Sequence, residues 1–288
     1  MNFNDLLCKA NVTPSDVLVF RHRPKEPQLR RVLPWLAGAK PELYNAFQRS
    51  QGPAAEAAML KAKYIASFVG TDTGKAVFVG LYKKESWRSI TREEFLAIPE
   101  NQALIELGME GFDDDWESTI WFELVPMDFY HEWAGRLQID WPGGERSWWR
   151  WAERNTFKIN CISSDSLFEP GMPAWDELCL SIAELRNLPQ RWRDTLTQWR
   201  GIYMIFDASE KKGYVGSAYG AENLLGRWLS YAATGHGGNK ELKDLSPANF
   251  LFTILQRVSP DMDANDVIRL EGTWKQRLHT REFGLNRN

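Results

Sequence analysis

The last third of this 288-residue chain holds an ordered set of side chains suited to one chemistry, the cleavage of a phosphodiester bond. Gly201-Ile202-Tyr203 is followed, after ten residues, by Tyr214-Val215-Gly216, so two short apolar strands each carry one tyrosine. Arg227 and Tyr231 stand four residues apart, Glu271 lies on a later helical run, and Asn286 ends Phe283-Gly284-Leu285-Asn286. Cutting a phosphodiester needs an in-line water, an acceptor for its proton, a cation for the developing charge, and a metal to hold the oxygens. Glu271 is the candidate metal ligand, since Mg2+ keeps several waters and is satisfied by a single protein carboxylate. Arg227 offers a permanently charged fork to the non-bridging oxygens. A phenol titrates near ~10 in water, so Tyr203 or Tyr214 serves as base only where Arg227 and a metal favour its phenolate. Tyr231 would orient that base, and Asn286 would fix the loop or hold a phosphate.

The elements that must position these groups follow from periodicity. Strands over 202–206 and 213–216 flank the polar stretch 207–212, which predicts a hairpin. Leu224, Leu225, Trp228, Leu229 and Ala232 recur at helical spacing, giving an amphipathic helix over 222–234 that places Arg227 and Tyr231 on one face. A third strand over 250–258 precedes a helix opened by Asp263 as N-cap and running to Leu278, with Val267, Leu270, Trp274 and Leu278 as its buried stripe. Glu271 borders that stripe. Upstream, 175–188 and 191–198 are expected as helices separated by Pro189.

These residues, in this order, resemble the GIY-YIG nuclease family over roughly residues 199–288. The matching positions are Gly201-Ile202-Tyr203, Tyr214-Val215-Gly216, Arg227, Tyr231, Glu271 and Asn286. The resemblance implies a three-stranded antiparallel sheet flanked by helices, one divalent metal, Mg2+ or Mn2+, and hydrolysis of DNA. Some members carry a His near the Tyr231 position or a Lys just after the second triplet. Here those places hold Tyr231 itself and Ser217. The loop Gly235-His236-Gly237-Gly238-Asn239-Lys240 is a possible substitute, with His236, Asn239 and Lys240 as candidate nucleic-acid contacts and glycines that allow close backbone approach to a phosphate.

The remainder is α+β in pattern and rich in tryptophan. Seven of the 14 tryptophans fall between Trp116 and Trp151. Runs at 64–70 and 76–82 form a predicted hairpin, a helical stretch spans 91–107, and strands are expected at 118–125, 135–141 and 156–162. The domain is set at 1–163, a Pro/Gly-rich linker at 164–173, and the nuclease-like domain with its leading helices at 174–288. The first domain is loosely similar to PUA-like or EVE-like base-reading domains. Trp148, Trp149 and Arg150, with Arg146 and Arg154 near, either hold a nucleotide base by stacking or pack in the core. Asp113-Asp114-Asp115 with His131 reads as a solvated acidic loop rather than a metal site.

Composition sets the outer bounds. The net charge is −3, which excludes a uniformly basic coat, but from Arg200 onward 12 Lys and Arg face 10 Asp and Glu, so the positive balance coincides with the motif. Three cysteines at scattered spacing support neither a disulfide framework nor zinc, and are expected reduced and buried. No signal or membrane-spanning pattern is present, so a cytoplasmic location is expected. The sequence therefore points to a metal-dependent DNA endonuclease whose first domain selects substrate by structure or modified base. Its rivals are a non-catalytic nucleic-acid-binding or protein-interaction factor with the same fold, and a ribonuclease.

Overall fold

The computed structural model describes residues 1–71, 74–112, 116–143, 147–220 and 223–287. Asp113-Asp114-Asp115 and Arg146 lie outside the described residues. The chain divides into two compact units, Met1–Pro170 and Gly171–Asn288, both mixed α and β.

In the first unit, α1 (Phe3–Lys9) leads to β1 (Val17–His22), which is buried at every position. Its alternating side chains enter two separate cores: Val17 and Val19 join Phe3, Phe68 and Phe78, whereas Leu18 and Phe20 join Met59, Ile65 and Phe122. Three helices, α2 (Pro27–Ala39), α3 (Pro41–Arg49) and α4 (Pro53–Lys61), then cross over to β2 (Tyr64–Gly70). That crossover is what lets β1 and β2 pair in parallel. Each of the three begins on proline, whose fixed φ suits the first helical turn.

Strand β3 (Lys75–Thr91) pairs antiparallel with β2 and then runs on past the predicted hairpin. After it come α5 (Arg92–Ala97) and α6 (Pro99–Glu106), so the helical stretch expected over 91–107 is two helices, broken where Pro99 opens the second. Next are β4 (Ser118–Pro126), β5 (Leu137–Asp140), β6 (Trp149–Trp151) and β7 (Ile159–Ile162). The sheet order is β6-β1-β2-β3-β5-β7, with β4 on the far half of β3.

The second unit starts with β8 (Cys179–Ser181), α7 (Ile182–Arg186) and α8 (Gln190–Gln198). The helix expected over 175–188 is thus mostly replaced: Cys179 to Ser181 pairs with Leu251 to Thr253, and Ser181 caps α7 through a reciprocal box with Glu184. Strands β9 (Arg200–Asp207) and β10 (Lys212–Ala218) form the predicted hairpin, followed by α9 (Asn223–Thr234), β11 (Phe250–Val258) and α10 (Ala264–Arg277). The antiparallel sheet has four strands, ordered β10-β9-β11-β8, rather than three, because β8 adds to β11.

Two further expectations are corrected. Leu278 falls outside the buried stripe and is 40% exposed, since α10 ends at Arg277 and His279 turns the chain in the left-handed region with φ 52°. Cys8 and Cys161 are exposed and Cys179 is half-buried, all three as free thiols, so none is a core residue. Among the described residues no helix is long and apolar enough to cross a membrane.

Candidate active site

Strand parity places both triplet tyrosines on one sheet face. Tyr203 lies opposite Gly216 in the β9–β10 ladder, and Tyr214, two residues before Gly216, is its diagonal neighbour. Glycine at 216 is a packing requirement, because a Cβ there would sit 2.5 Å from the Tyr203 hydroxyl oxygen. Helix α9 covers this face and delivers Arg227 and Tyr231 from successive turns. Arg227 Nε donates to Tyr203 Oη at 3.1 Å and Nη2 donates to Tyr231 Oη at 3.3 Å. The Tyr203 hydroxyl donates to Tyr231 Oη at 3.2 Å, closing a triangle. The Tyr214 ring stands 6.2 Å from that of Tyr231. Gly237 presses on Tyr231 from the following loop: at its φ of 55°, a Cβ would come within 2.6 Å of the ring.

Burial governs the protonation of this cluster. Desolvation pushes the phenols of Tyr203, Tyr214 and Tyr231 above their ordinary range, and for Tyr203 and Tyr214 the Arg227 charge offsets only part of that rise. For Arg227 desolvation acts downward, but Tyr203 and Tyr231 outweigh it, so its pKa is raised and the guanidinium stays charged. Arg227 thus faces three neutral phenols at neutral pH. Tyr203 and Tyr231 have no exposed surface, whereas Tyr214 is half-buried and lines a cleft.

Glu271 approaches from the other face. Val267 of α10 packs with Ile202 and Val215, whose side chains point away from the tyrosines. One turn on from Val267, Glu271 accepts a hydrogen bond from the Ser217 hydroxyl and pairs with Lys275 Nζ at 2.7 Å. Because β10 is the sheet edge, the carboxylate still lies near enough to Tyr214 to raise its pKa further. Among the described residues no group of three His, Cys, Asp or Glu could enclose a metal. A single, slightly exposed carboxylate beside a hydroxyl fits a Mg2+ ion that keeps most of its waters, and does not fit zinc or calcium, which demand more protein ligands.

Asn286 is placed as a structural pin. Its Oδ1 accepts from Val215 N and its Nδ2 donates to Val215 O, both at 2.9 Å, so its side chain stands in for the missing neighbour strand of β10. It therefore fixes the terminal segment, with its Oδ1 and one of its two Nδ2 N–H groups spent on the Val215 backbone.

The cleft outside Tyr214 has a volume of about 420 Å3 and is lined by Arg227, Lys240, Arg287, Glu241 and the Gly237-Gly238 segment, with Arg287 Nε 3.4 Å from Glu241 Oε2. Of the loop candidates, Asn239 and Lys240 line it. Asn239 also caps a short 3-10 turn by accepting from Glu241 N at 2.9 Å. His236 Nδ1 accepts from Gly238 N at 3.0 Å and so shapes the loop from within. Trp148, Trp149 and Arg150 belong to the first unit. Trp148 and Trp149 are partly buried against the Leu18–Phe20 side of the sheet, and Arg150 donates to Gly143 O and Asn155 Oδ1.

The structure thus brings Tyr203, Tyr214, Arg227, Tyr231 and Glu271 to one strand edge. It adds three residues that sequence reasoning missed: Ser217, Lys275 and Arg287. Lys275 had a signal, since Glu followed by Lys four residues later is a favoured helical pair. Arg287 had none beyond its charge.

Two solved structures match part of the chain. One is the catalytic domain of intron endonuclease I-TevI in a point-mutant form, at 23% identity and a TM-score of 0.27, covering 32% of this chain and 95% of that one. The other is the catalytic domain of homing endonuclease I-TevI, at 26% identity and a TM-score of 0.26, covering 30% and 96%. No protein-family model and no curated protein matches the sequence.

Proposed function

We propose that the second unit is a divalent-metal-dependent endonuclease that hydrolyses DNA phosphodiester bonds, and that the first unit selects the substrate. The observation that carries this reading is the convergence of Arg227 with three phenols, two of these groups, Arg227 and Tyr214, lining a cationic cleft, and of Glu271 close enough to Tyr214 to act on its charge. Arg227, Lys240 and Arg287 would draw the anionic backbone into the cleft. Arg227 spends two of its N–H groups on Tyr203 and Tyr231, which fixes its plane, and keeps three for the scissile phosphate. Its removal should cost about 3 kcal/mol of transition-state stabilisation.

Tyr214 is the base, being the phenol on the cleft wall, while Tyr203 and Tyr231 hold Arg227 rather than exchange protons with water. Its raised pKa is the obstacle, and positive charge arriving at the edge of β10 is what would lower it. A divalent ion at Glu271 would supply that charge and stabilise the phosphate oxygens. Glu271 would hold the ion, and Ser217 would fix the carboxylate plane.

The test uses the full chain with plasmid, single-stranded, branched and modified DNA, and RNA in parallel, with Mg2+ or Mn2+. Expected are metal-dependent DNA cuts, a loss of about 10²–10⁴ in kcat for Tyr214→Phe, no activity for Glu271→Ala, and altered substrate choice for Trp149→Ala. Equal cleavage by Glu271→Ala and wild type, cleavage of RNA alone, or DNA binding in EDTA with no turnover in either metal would overturn the proposal.

A further inference from the structure

We propose that Lys275 is a positioning residue that competes with the divalent cation for Glu271, so that the metal site stays weak until an anionic phosphodiester enters the cleft. This rests on the reading of Glu271 as the metal ligand. Three observations carry it. Lys275 Nζ lies 2.7 Å from Glu271 Oε1, and the two side chains are only 5% and 16% exposed. The Ser217 hydroxyl donates to the other carboxylate oxygen, so both oxygens are engaged by the protein. And lysine is the residue type least expected inside: Lys275 and Val267 are the buried residues of α10, while the apolar Ile268 of the same helix faces outward.

A solvated surface pair of this kind would be screened and nearly inert. A buried one is screened far less. A divalent cation that takes Glu271 must therefore sit beside the Lys275 ammonium, and that like charge opposes loading. A phosphate that enters the cleft past Tyr214, the residue that lines it and feels the Glu271 charge, adds negative charge on the side of the two cations and reverses the balance. Binding of metal and of DNA is then positively coupled, and by linkage each tightens the other by the same factor. Ser217 contributes by keeping the carboxylate aimed along the β10 edge while Lys275 holds its inner oxygen.

The probe is Mn2+ alone, titrated into the full-length protein without nucleic acid and followed by the loss of the free-ion electron paramagnetic resonance signal. Wild type should bind at roughly millimolar concentration, on the scale of weak oxygen-ligand sites. Lys275→Met and Lys275→Gln, which remove the charge, should bind at least about tenfold tighter. Lys275→Arg should behave as wild type, and adding Glu271→Gln to either tight variant should abolish the gain. A merely structural lysine would give weaker binding or none on substitution, never tighter. Glu271-dependent Mn2+ binding that is indifferent to Lys275 overturns this role and leaves the nuclease reading standing. Absence of Glu271-dependent binding in every variant, even with a duplex DNA added, overturns both. Should neither neutral variant give a cooperative melt, the wild-type titration decides: Mn2+ bound at about ten micromolar or tighter without DNA refutes the competition.

Discussion

Asn286→Ala separates a structural pin from a phosphate ligand. Asn286 is 1% exposed, and its amide forms two 2.9 Å hydrogen bonds to the outward N–H and C=O of Val215, itself fully buried on the edge strand β10. Around it the same segment is tied by Leu285 N–H to Gly213 O at 2.9 Å and Asn286 N–H to Thr280 O at 3.0 Å. Alanine leaves two buried backbone groups without partners, each at a cost of about 1–3 kcal/mol. Partial entry of water puts the sum in the lower half of that range, about 2–4 kcal/mol. For a unit of this size each kcal/mol moves the midpoint by about 3–5 °C, so the second unit should melt about 6–20 °C lower. The assay is thermal unfolding by circular dichroism, with hydrogen exchange on peptides spanning β10 to assign the loss to this strand. Asn286→Asp should fare no better, because it sets a carboxylate oxygen against the Val215 carbonyl. A variant that melts within about 1 °C of wild type yet loses DNA cleavage would falsify the pin and make Asn286 a substrate ligand.

Two other perturbations have signs fixed by the structure. Gly216→Ala drives a Cβ to 2.5 Å from the hydroxyl of the fully buried Tyr203 and should destabilise by about 1–3 kcal/mol in urea titrations, with part of that recovered in the Gly216→Ala/Tyr203→Phe double variant; additive losses would refute the clash. In the first unit, burial lowers the His22 pKa to about 3 from its ordinary 6.5. The unfolded chain therefore binds the extra proton between those limits, so stability is intact above pH 6.5 and falls as pH drops toward 3. Between pH 6.5 and 5 the loss should approach about 2 kcal/mol, read as a fall in urea midpoint that His22→Gln removes. Parallel pH slopes for variant and wild type would exclude His22 as the source.

What was legible in the sequence, and what was not, follows from the range of the forces involved. The β9–β10 hairpin, β11, α9 and α10 are written in local periodicity, and the parity of the two triplets suffices to put Tyr203 and Tyr214 on one face. Strand β8 was not legible, because three residues carry no pattern of their own and become a strand only by pairing with Leu251 to Thr253, about seventy positions on. Periodicity carries the stripe of α10 on to Leu278 because it does not register the left-handed turn at His279 that follows the helix. The same blindness hid Lys275. A Glu–Lys pair one turn apart has the signature of a solvated helix face, and only the packing of α10 against Ile202 and Val215 turns that face inward. The choice between two phenols was undecidable for a related reason. Tyr203 and Tyr214 are equivalent in strand, triplet and face, and their difference is imposed from outside the hairpin, by an α9 that seals Tyr203 under Trp228 and Tyr231 and a cleft that leaves Tyr214 open. Residue type and order thus nominate the chemistry, while the tertiary cover separates the three phenols: Tyr203 and Tyr231 are buried against Arg227, and half-buried Tyr214 lines the cleft.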